Sequence, residues 1–276
     1  TSSMNASEEH NYRLRMYVTE EYNPQGDGGG LTFAVRVNVY GKAGDKPLSA
    51  GETVITNLTS GSTYDDGVDT FITGEDPNNY VWYSGKLWRA VSVNNEENTT
   101  KLVTQWNISA ITYSGGSEAF EGSYVEDWLN DTSVDGFLGN LRDYENFIVS
   151  DAKWNATLDT TSLGSIIRPR DDGTVVTDAV GLLNMYEYQS SNNGATDGYL
   201  NNGLIWWTLT PYGTVDMRIV DYSGSTSSYS LSSGSGIRPS INLKSSVRIV
   251  SGDGTIDNPY RLEGDNDTNL SATLLS

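Results

Sequence analysis

Trp206-Trp207-Thr208-Leu209-Thr210-Pro211, followed after a polar insert by Gly236-Ile237-Arg238-Pro239-Ser240-Ile241-Asn242-Leu243, decides how this chain is read. Both runs have the aromatic and β-branched make-up of strands, and the insert from Tyr212 to Ser235 is rich in Ser, Gly, Tyr and Asp. Two stiff anchors around a polar insert are how a rigid scaffold presents a loop for binding, so recognition rather than chemistry is expected of it. Neighbouring side chains on a strand face opposite sides, which puts one of the tandem tryptophans in the core and leaves the other, taken here as Trp207, to reach the ligand. Tyr offers contact area at little entropic cost while Ser and Gly adapt. The ligand-facing set is therefore Trp207, Tyr212, Asp216, Arg218, Asp221, Tyr222, Ser225, Ser228 and Tyr229. Arg238 is expected to be an internal organiser, since one guanidinium can hold several loop carbonyls. An ordinary polar hairpin is the plainer alternative for the whole insert.

Composition narrows the field around this stretch. With 17 Tyr, 7 Trp and 29 Gly in 276 residues, an α+β, strand-rich fold with two short helices is expected over a helical bundle. The balance of 17 basic against 36 acidic residues gives a net charge of −19, which repels phosphate backbones and anionic membranes; no nucleic-acid partner and no membrane contact are expected. Cysteine is absent, which removes disulfides, thiolate metal sites and thiol nucleophiles together. Many extracellular proteins of Gram-positive bacteria share that trait. No apolar run is long enough to span a bilayer and no charged-then-apolar leader opens the chain, so it reads as a mature or trimmed soluble part. The N-x-S/T triplets at Asn5, Asn57, Asn98, Asn107, Asn130, Asn155, Asn266 and Asn269 are of the kind a chain rich in Asn, Ser and Thr produces by chance.

Period-two alternation marks strands at Tyr12 to Val18 and Leu31 to Tyr40, a hairpin that must complete its sheet with the rest of the chain or with a neighbouring subunit. Strands are also expected at Glu52 to Leu58 and Asp69 to Thr73, and a hairpin from Asn79 to Val93 turning at Ser84-Gly85, followed by a strand from Lys101 to Trp106. Helical spacing begins at Ser123 and again over Phe137 to Val149, where Leu138, Leu141, Tyr144 and Ile148 share a face. Leu182 to Tyr188 is ambiguous, and strands close the chain at Ile237 to Leu243, at Ser246 to Val250, and after the turn Gly252 to Asn258. This divides the chain into an N-terminal β segment with linker (1–65), a second domain (66–263) and a polar tail (264–276).

From Asn79 to Leu243 the order YVWYSGKLWRAVSV, WLND, LLNMYEY, WWTLTP and GIRPSINLK resembles bacterial domains of the C-type-lectin-like type related to the formylglycine-generating enzymes. The resemblance implies paired core strands at WWTLTP and IRP, with a ligand surface between them. The enzymes of that group hold copper with cysteines, and a chain without cysteine keeps only the scaffold. The insert is also similar to the display loops of diversity-generating retroelement variable proteins. The first hairpin resembles a strand pair of camelysin-like fibre proteins and prepilin-like surface proteins.

Catalytic material is sparse, because the one histidine, His10, stands in a polar tail and no GxSxG, P-loop or HExxH occurs. Asp65-Asp66 and Asp171-Asp172 are the carboxylate pairs that glycoside hydrolysis would require, and adjacent acids in Gly-rich turns are equally ordinary loop residues. No cofactor is expected. A calcium ion is the one metal the sequence offers, at Asp253 and Asp257 or at Asp65-Asp66-Gly67-Val68-Asp69, where hard oxygen ligands sit on sharp turns. The functional expectation is a non-enzymatic, secreted cell-surface or pilus-associated protein that binds a protein or glycan through residues 212–235. A fibre subunit assembling through its N-terminal strands is the alternative, and a carboxylate-based glycoside hydrolase the second.

Overall fold

Ser49, which the strand expected over Glu52 to Leu58 overlooked, starts a helix instead. Its hydroxyl accepts from the Glu52 backbone N–H while the Glu52 carboxylate accepts from the Ser49 N–H, a capping box that nucleates α1 (Ala50–Thr56). The computed structural model describes residues 47–117, 119–157, 173–192 and 197–265. The hairpin expected over 12–40, with its assembly role, lies outside the described residues, as do His10, Asp171 and Asp172. The chain divides into units 1–47 and 48–276, and only the second is treated below. Because that unit begins at Leu48, α1 and the first strand pack with the segments expected to form a separate domain from residue 66 onward.

Beyond α1, β1 (Ser62–Asp65) and β2 (Asp69–Thr73) pair antiparallel, and β2 continues onto β4. The expected hairpin is present as β3 (Tyr80–Tyr83) and β4 (Lys86–Asn94). Ser84 at φ 52° and Gly85 at φ 71° both take left-handed conformations, the two-residue turn whose twist suits antiparallel strands. β5 (Thr100–Thr104) pairs with β4, and β6 (Ser109–Thr112) follows. Ser123 caps α2 (Tyr124–Asn130), whose buried side chains are Val125 and Leu129. The single helix expected over Phe137 to Val149 is instead a 3-10 turn at Leu138–Asn140 and a one-turn α3 (Tyr144–Phe147), separated by Asp143 in a left-handed conformation.

β7 (Ala152–Asn155) and β8 (Val175–Asp178) form a separate antiparallel pair, and β9 (Val180–Gly181) follows. The ambiguous Leu182 to Tyr188 resolves into the approach to α4 (Met185–Ser191), started by an Asn184–Glu187 capping box. The decisive stretch then supplies β10 (Trp206–Tyr212), β11 (Asp216–Val220), β12 (Thr226–Ser230), β13 (Gly234–Ile237) and β14 (Ser240–Leu243). β15 (Ile249–Ser251) and β16 (Tyr260–Leu262) end the fold. The fold is therefore strand-rich α+β with four short α-helices among the described residues, not two.

Two sheets hold most of these strands. One runs β15-β16-β3-β4-β5-β14-β9, with β2 and β1 branching from β4; the other runs β12-β11-β10-β13-β6. They are joined by one bent antiparallel ribbon. β5 pairs with β14 in the first sheet, and the same two chain segments continue as β6 pairing with β13 in the second. The bend falls at Arg238-Pro239, which splits the strand expected over Ile237 to Leu243: proline has no N–H for a ladder, and strands change sheet at such corners.

Turn chemistry locks the closing strands. Asn78 accepts from the Thr59 and Ser60 N–H groups and donates to the Asn57 and Asp253 carbonyls, tying the end of α1 to the turn before β16. In that turn Gly254 sits at φ +78°, where a Cβ would stand 2.1 Å from the Asn78 carbonyl oxygen, so only glycine fits. The tail begins anchored, since the Asp265 carboxylate accepts from the Arg142 guanidinium at 2.7 Å and from the Ser84 N–H at 3.1 Å. Among the described residues no helix is long and apolar enough to cross a membrane.

Candidate functional site

The segment expected as a display loop is itself sheet. β10, β11 and β12 form an antiparallel meander, and β13 returns parallel to β10 with Trp206 opposite Gly236, so the two anchors lie side by side. Both tryptophans are fully buried, at 0 % exposure, which corrects the expectation that Trp207 faces a ligand. β10 is covered on both faces, so alternation sends the pair into two different cores rather than one core and solvent. Trp207 lies edge-on to Tyr113 and opposite Ile219 on β11, in the larger core that also holds Leu209 and Met217, and its indole N–H donates to the Ile111 carbonyl at 3.0 Å. Trp206 lies edge-on to Tyr188 and opposite Val220 on β11, in the smaller core that also holds Phe71 and Val103.

The remaining expected ligand residues fall into three groups. Tyr212, Asp216, Arg218 and Ser228 share one face of the meander, by the pairings Tyr212 with Asp216 and Arg218 with Ser228. Asp221, Tyr222 and Ser225 lie at the far end of β11, in the turn to β12. Tyr229 pairs with Met217 and points to the opposite face, edge-on to Trp207 at 6.4 Å. A single surface containing all nine does not exist.

Within the first group Arg218 is 4 % exposed, which corrects its assignment as a residue reaching the ligand directly. Its guanidinium lies 3.8 Å from the centroid of the Tyr212 ring, so it supports the tyrosine from beneath. Tyr212 keeps 42 % of its surface exposed. In the far turn, Asp221 accepts from the N–H groups of Ser223 and Ser225 and from the Ser223 hydroxyl, which hold its carboxyl below the usual range. That carboxylate shapes the turn. Tyr188 of α4 donates to the Gly224 carbonyl at 2.7 Å and pins the same turn to the core, leaving Tyr222 70 % exposed at its tip.

The residues offered for calcium are engaged as turn formers. Asp253 accepts from the hydroxyl and N–H of Thr255, which lower its pKa, and Asp257 is exposed. Asp65 accepts from the Gly67 N–H, and Asp66 from the N–H groups of Val68 and Asp69 and from the Tyr186 hydroxyl. Among the described residues no group of three or more His, Asp or Glu is arranged to hold a metal ion.

Arg238 is the internal organiser expected of it. Fully buried, it donates to the carbonyls of Thr104 at 2.9 Å and Leu200 at 2.6 Å, and its charge lies over the Trp206 ring. Burial pushes its pKa down, yet a guanidinium titrates so far above neutrality that the charge persists. A second buried cation, Arg89, was not singled out from sequence; it is sandwiched between Tyr80 and Tyr199 and donates to Asn79 and the Pro77 carbonyl.

Asp178 on β8 shows the opposite electrostatics. Burial, together with the nearby Glu126 and Glu121 charges, raises its carboxyl to about 6. A folded pKa above the ordinary 3.8 means the native state binds the proton more tightly, so this group's contribution to stability falls as pH rises from about 4 to about 6. Asp178→Asn is expected to stabilise the protein at pH 7 by about 1 kcal/mol, after discounting for partial exposure. Thermal melts should rise by about 2 to 4 °C at pH 7, with the gain vanishing near pH 4; an equal gain at both pH values would refute the electrostatic cause.

Sequence reading also missed a polar groove of about 710 Å³ on the first sheet. β4, β5 and β14 form its floor, and the start of α4 and the β7–β8 pair form its walls. Lys101 and Glu187 form an ion pair there, with the ammonium 4.8 Å from the Trp154 ring. A lysine opening the apolar run Lys101-Leu102-Val103 was the available signal.

No curated protein and no solved structure matches this chain. One family profile does, over residues 97–245, a stretch that runs from the turn before β5 through the meander and the corner to the end of β14. That span is more than half of the chain, so the protein belongs to the family described as Domain of unknown function (DUF6273).

Proposed function

We propose that this protein is a cell-surface recognition module, built on a C-type-lectin-like scaffold, that binds a protein or glycan through the outer end of the β10–β12 meander. The observation that carries this reading is the stacked pair of Tyr212 on Arg218. One face of the ring is held by a buried guanidinium while the ring remains partly open to solvent, which yields an aromatic platform that loses little freedom on binding. Tyr and Arg are the residues that most often dominate binding energy when so placed. Asp216, Ser228 and Ser230 flank the ring on the same face with carboxylate and hydroxyl acceptors suited to ligand hydroxyl or amide groups. The side-by-side anchors β10 and β13 support the lectin-like scaffold.

Labelled protein applied to an array of oligosaccharides and purified extracellular proteins should give saturable binding. Tyr212→Ala is expected to weaken it by at least tenfold, about 1.4 kcal/mol, with the thermal melt shifted by no more than about 2 °C. Unchanged affinity in Tyr212→Ala, or no saturable binding to any arrayed molecule, would sink the proposal.

A further inference from the structure

The groove on the first sheet has a floor that folding alone does not explain. Ser92, Lys101 and Asn242 are cross-strand neighbours on β4, β5 and β14, in the interior of the sheet, and all three line the concavity. Central strands covered on both faces are ordinarily apolar. The same face is apolar where α4 covers it, at Phe71 and Val103, and turns polar in the groove. Ser92 is 3 % exposed and lines the groove, and its hydroxyl makes no hydrogen bond among the described residues, although buried hydroxyls ordinarily have a partner. The Asn242 side-chain amide likewise makes no hydrogen bond among the described residues, while its backbone carbonyl accepts from the Val149 N–H.

The charges around this floor are lopsided. Four carboxylates, Asp69, Glu97, Asp151 and Glu187, line the groove with two ammonium groups, Lys101 and Lys153. Glu187 is committed, to Lys101 through one oxygen and to the Asn184 N–H through the other. Asp69 accepts from the Asn94 amide. Glu97, in the turn between β4 and β5, and Asp151, just before β7, are exposed carboxylates of the lining that a cation entering the groove can reach. An ammonium carries three donors and a guanidinium five, and neither accepts, which matches carboxylate walls above hydroxyl and amide acceptors on the floor. Tyr186, the aromatic residue of the lining, is buried and its hydroxyl is held by Asp66, so among the described residues the groove has no open aromatic face on which a sugar ring could stack.

From this we infer that the groove is a binding site for an organic cation, a primary amine or guanidinium, whose charge sits between Glu97 and Asp151 while its neighbouring polar groups meet Ser92 and Asn242. The cation could come from a free polyamine or from a basic side chain of a peptide. None of the lining residues belongs to β10–β12, so the site is separate from the Tyr212 platform and stands whether or not that platform binds anything.

Calorimetric titration of the full chain at low salt with spermidine, and separately with an acetylated, amidated tri-lysine peptide, tests it. At least one probe should bind saturably with a Kd below about 1 mM. Glu97→Gln/Asp151→Asn should weaken that binding about tenfold or more, and the matched surface pair Asp127→Asn/Asp135→Asn by less than about twofold. All four positions are exposed, so folding is spared. Asn242→Leu, which fills the floor without changing charge, should also weaken binding. Tighter binding of spermidine identifies a free polyamine and tighter binding of the peptide a peptide side chain; either supports the site. Equal losses in the two charge-removal pairs would reduce the effect to the net charge of −19 and overturn it, as would binding untouched by the groove substitutions or no saturable binding of either probe.

Discussion

Arg238→Leu is expected to lower the free energy of unfolding by about 3 to 5 kcal/mol, a large part of the roughly 5 to 15 kcal/mol that holds a domain together. Leucine fills part of the volume but donates nothing, so the buried Thr104 and Leu200 carbonyls lose the guanidinium that served them, at about 1 to 3 kcal/mol for each left unsatisfied. The ring of Trp206 loses the charge over its face as well. Arg238→Lys keeps the charge but not the planar fork that reaches both carbonyls, so its loss should fall between parent and leucine variant. Urea unfolding curves check this: a midpoint for Arg238→Leu near that of the parent would mean that the sheet-to-sheet corner does not depend on its arginine.

Trp207→Ala should cost a similar amount, about 3 to 5 kcal/mol, from the cavity left among Tyr113, Leu209, Met217 and Ile219 and from the loss of the bond to the Ile111 carbonyl. Tyr222→Ala, at an exposed turn tip, should lie within about 0.5 kcal/mol of the parent. The contrast tests the burial of Trp207 directly, because a ligand-facing tryptophan would give the reverse pattern, with little change in stability and a specific loss of binding. Any binding defect in Trp207→Ala should instead track the fraction of protein folded.

How far such features could be read from the chain depends on how local their causes are. Ser84-Gly85 announced the β3–β4 hairpin because two residues suffice to set that turn. Arg238 could be identified as internal because a guanidinium between strand anchors has few other uses. α1 was missed although its capping box was present in Ser49-Ala50-Gly51-Glu52, since the β-branched Val54 and Ile55 read as strand. Alternation correctly separated Trp206 from Trp207, but period alone cannot say that both faces of β10 are covered. That depends on α4 and on Tyr113, far away in sequence. Likewise the polar insert looked like one surface until pairing distributed its tyrosines over two faces and a distant turn. The groove escaped notice because Ser92, Lys101 and Asn242 come from three separated segments and meet only across the sheet.

The bent ribbon has a consequence in time as well as in space. One of its strands is laid down at residues 100–112 and the other at 234–243, so no hydrogen bond between them can form until nearly the whole unit has been synthesised. Closing so long a loop adds little to the thermodynamic cost, about 0.6 kcal/mol for each doubling of length, but it slows the search for the native register. The local hairpins β3–β4, β7–β8 and β10–β12 can form early and wait. Until the two ribbon strands meet, the chain carries the apolar faces of both sheets uncovered, and that interval is where a crowded cell would find this protein most prone to aggregate.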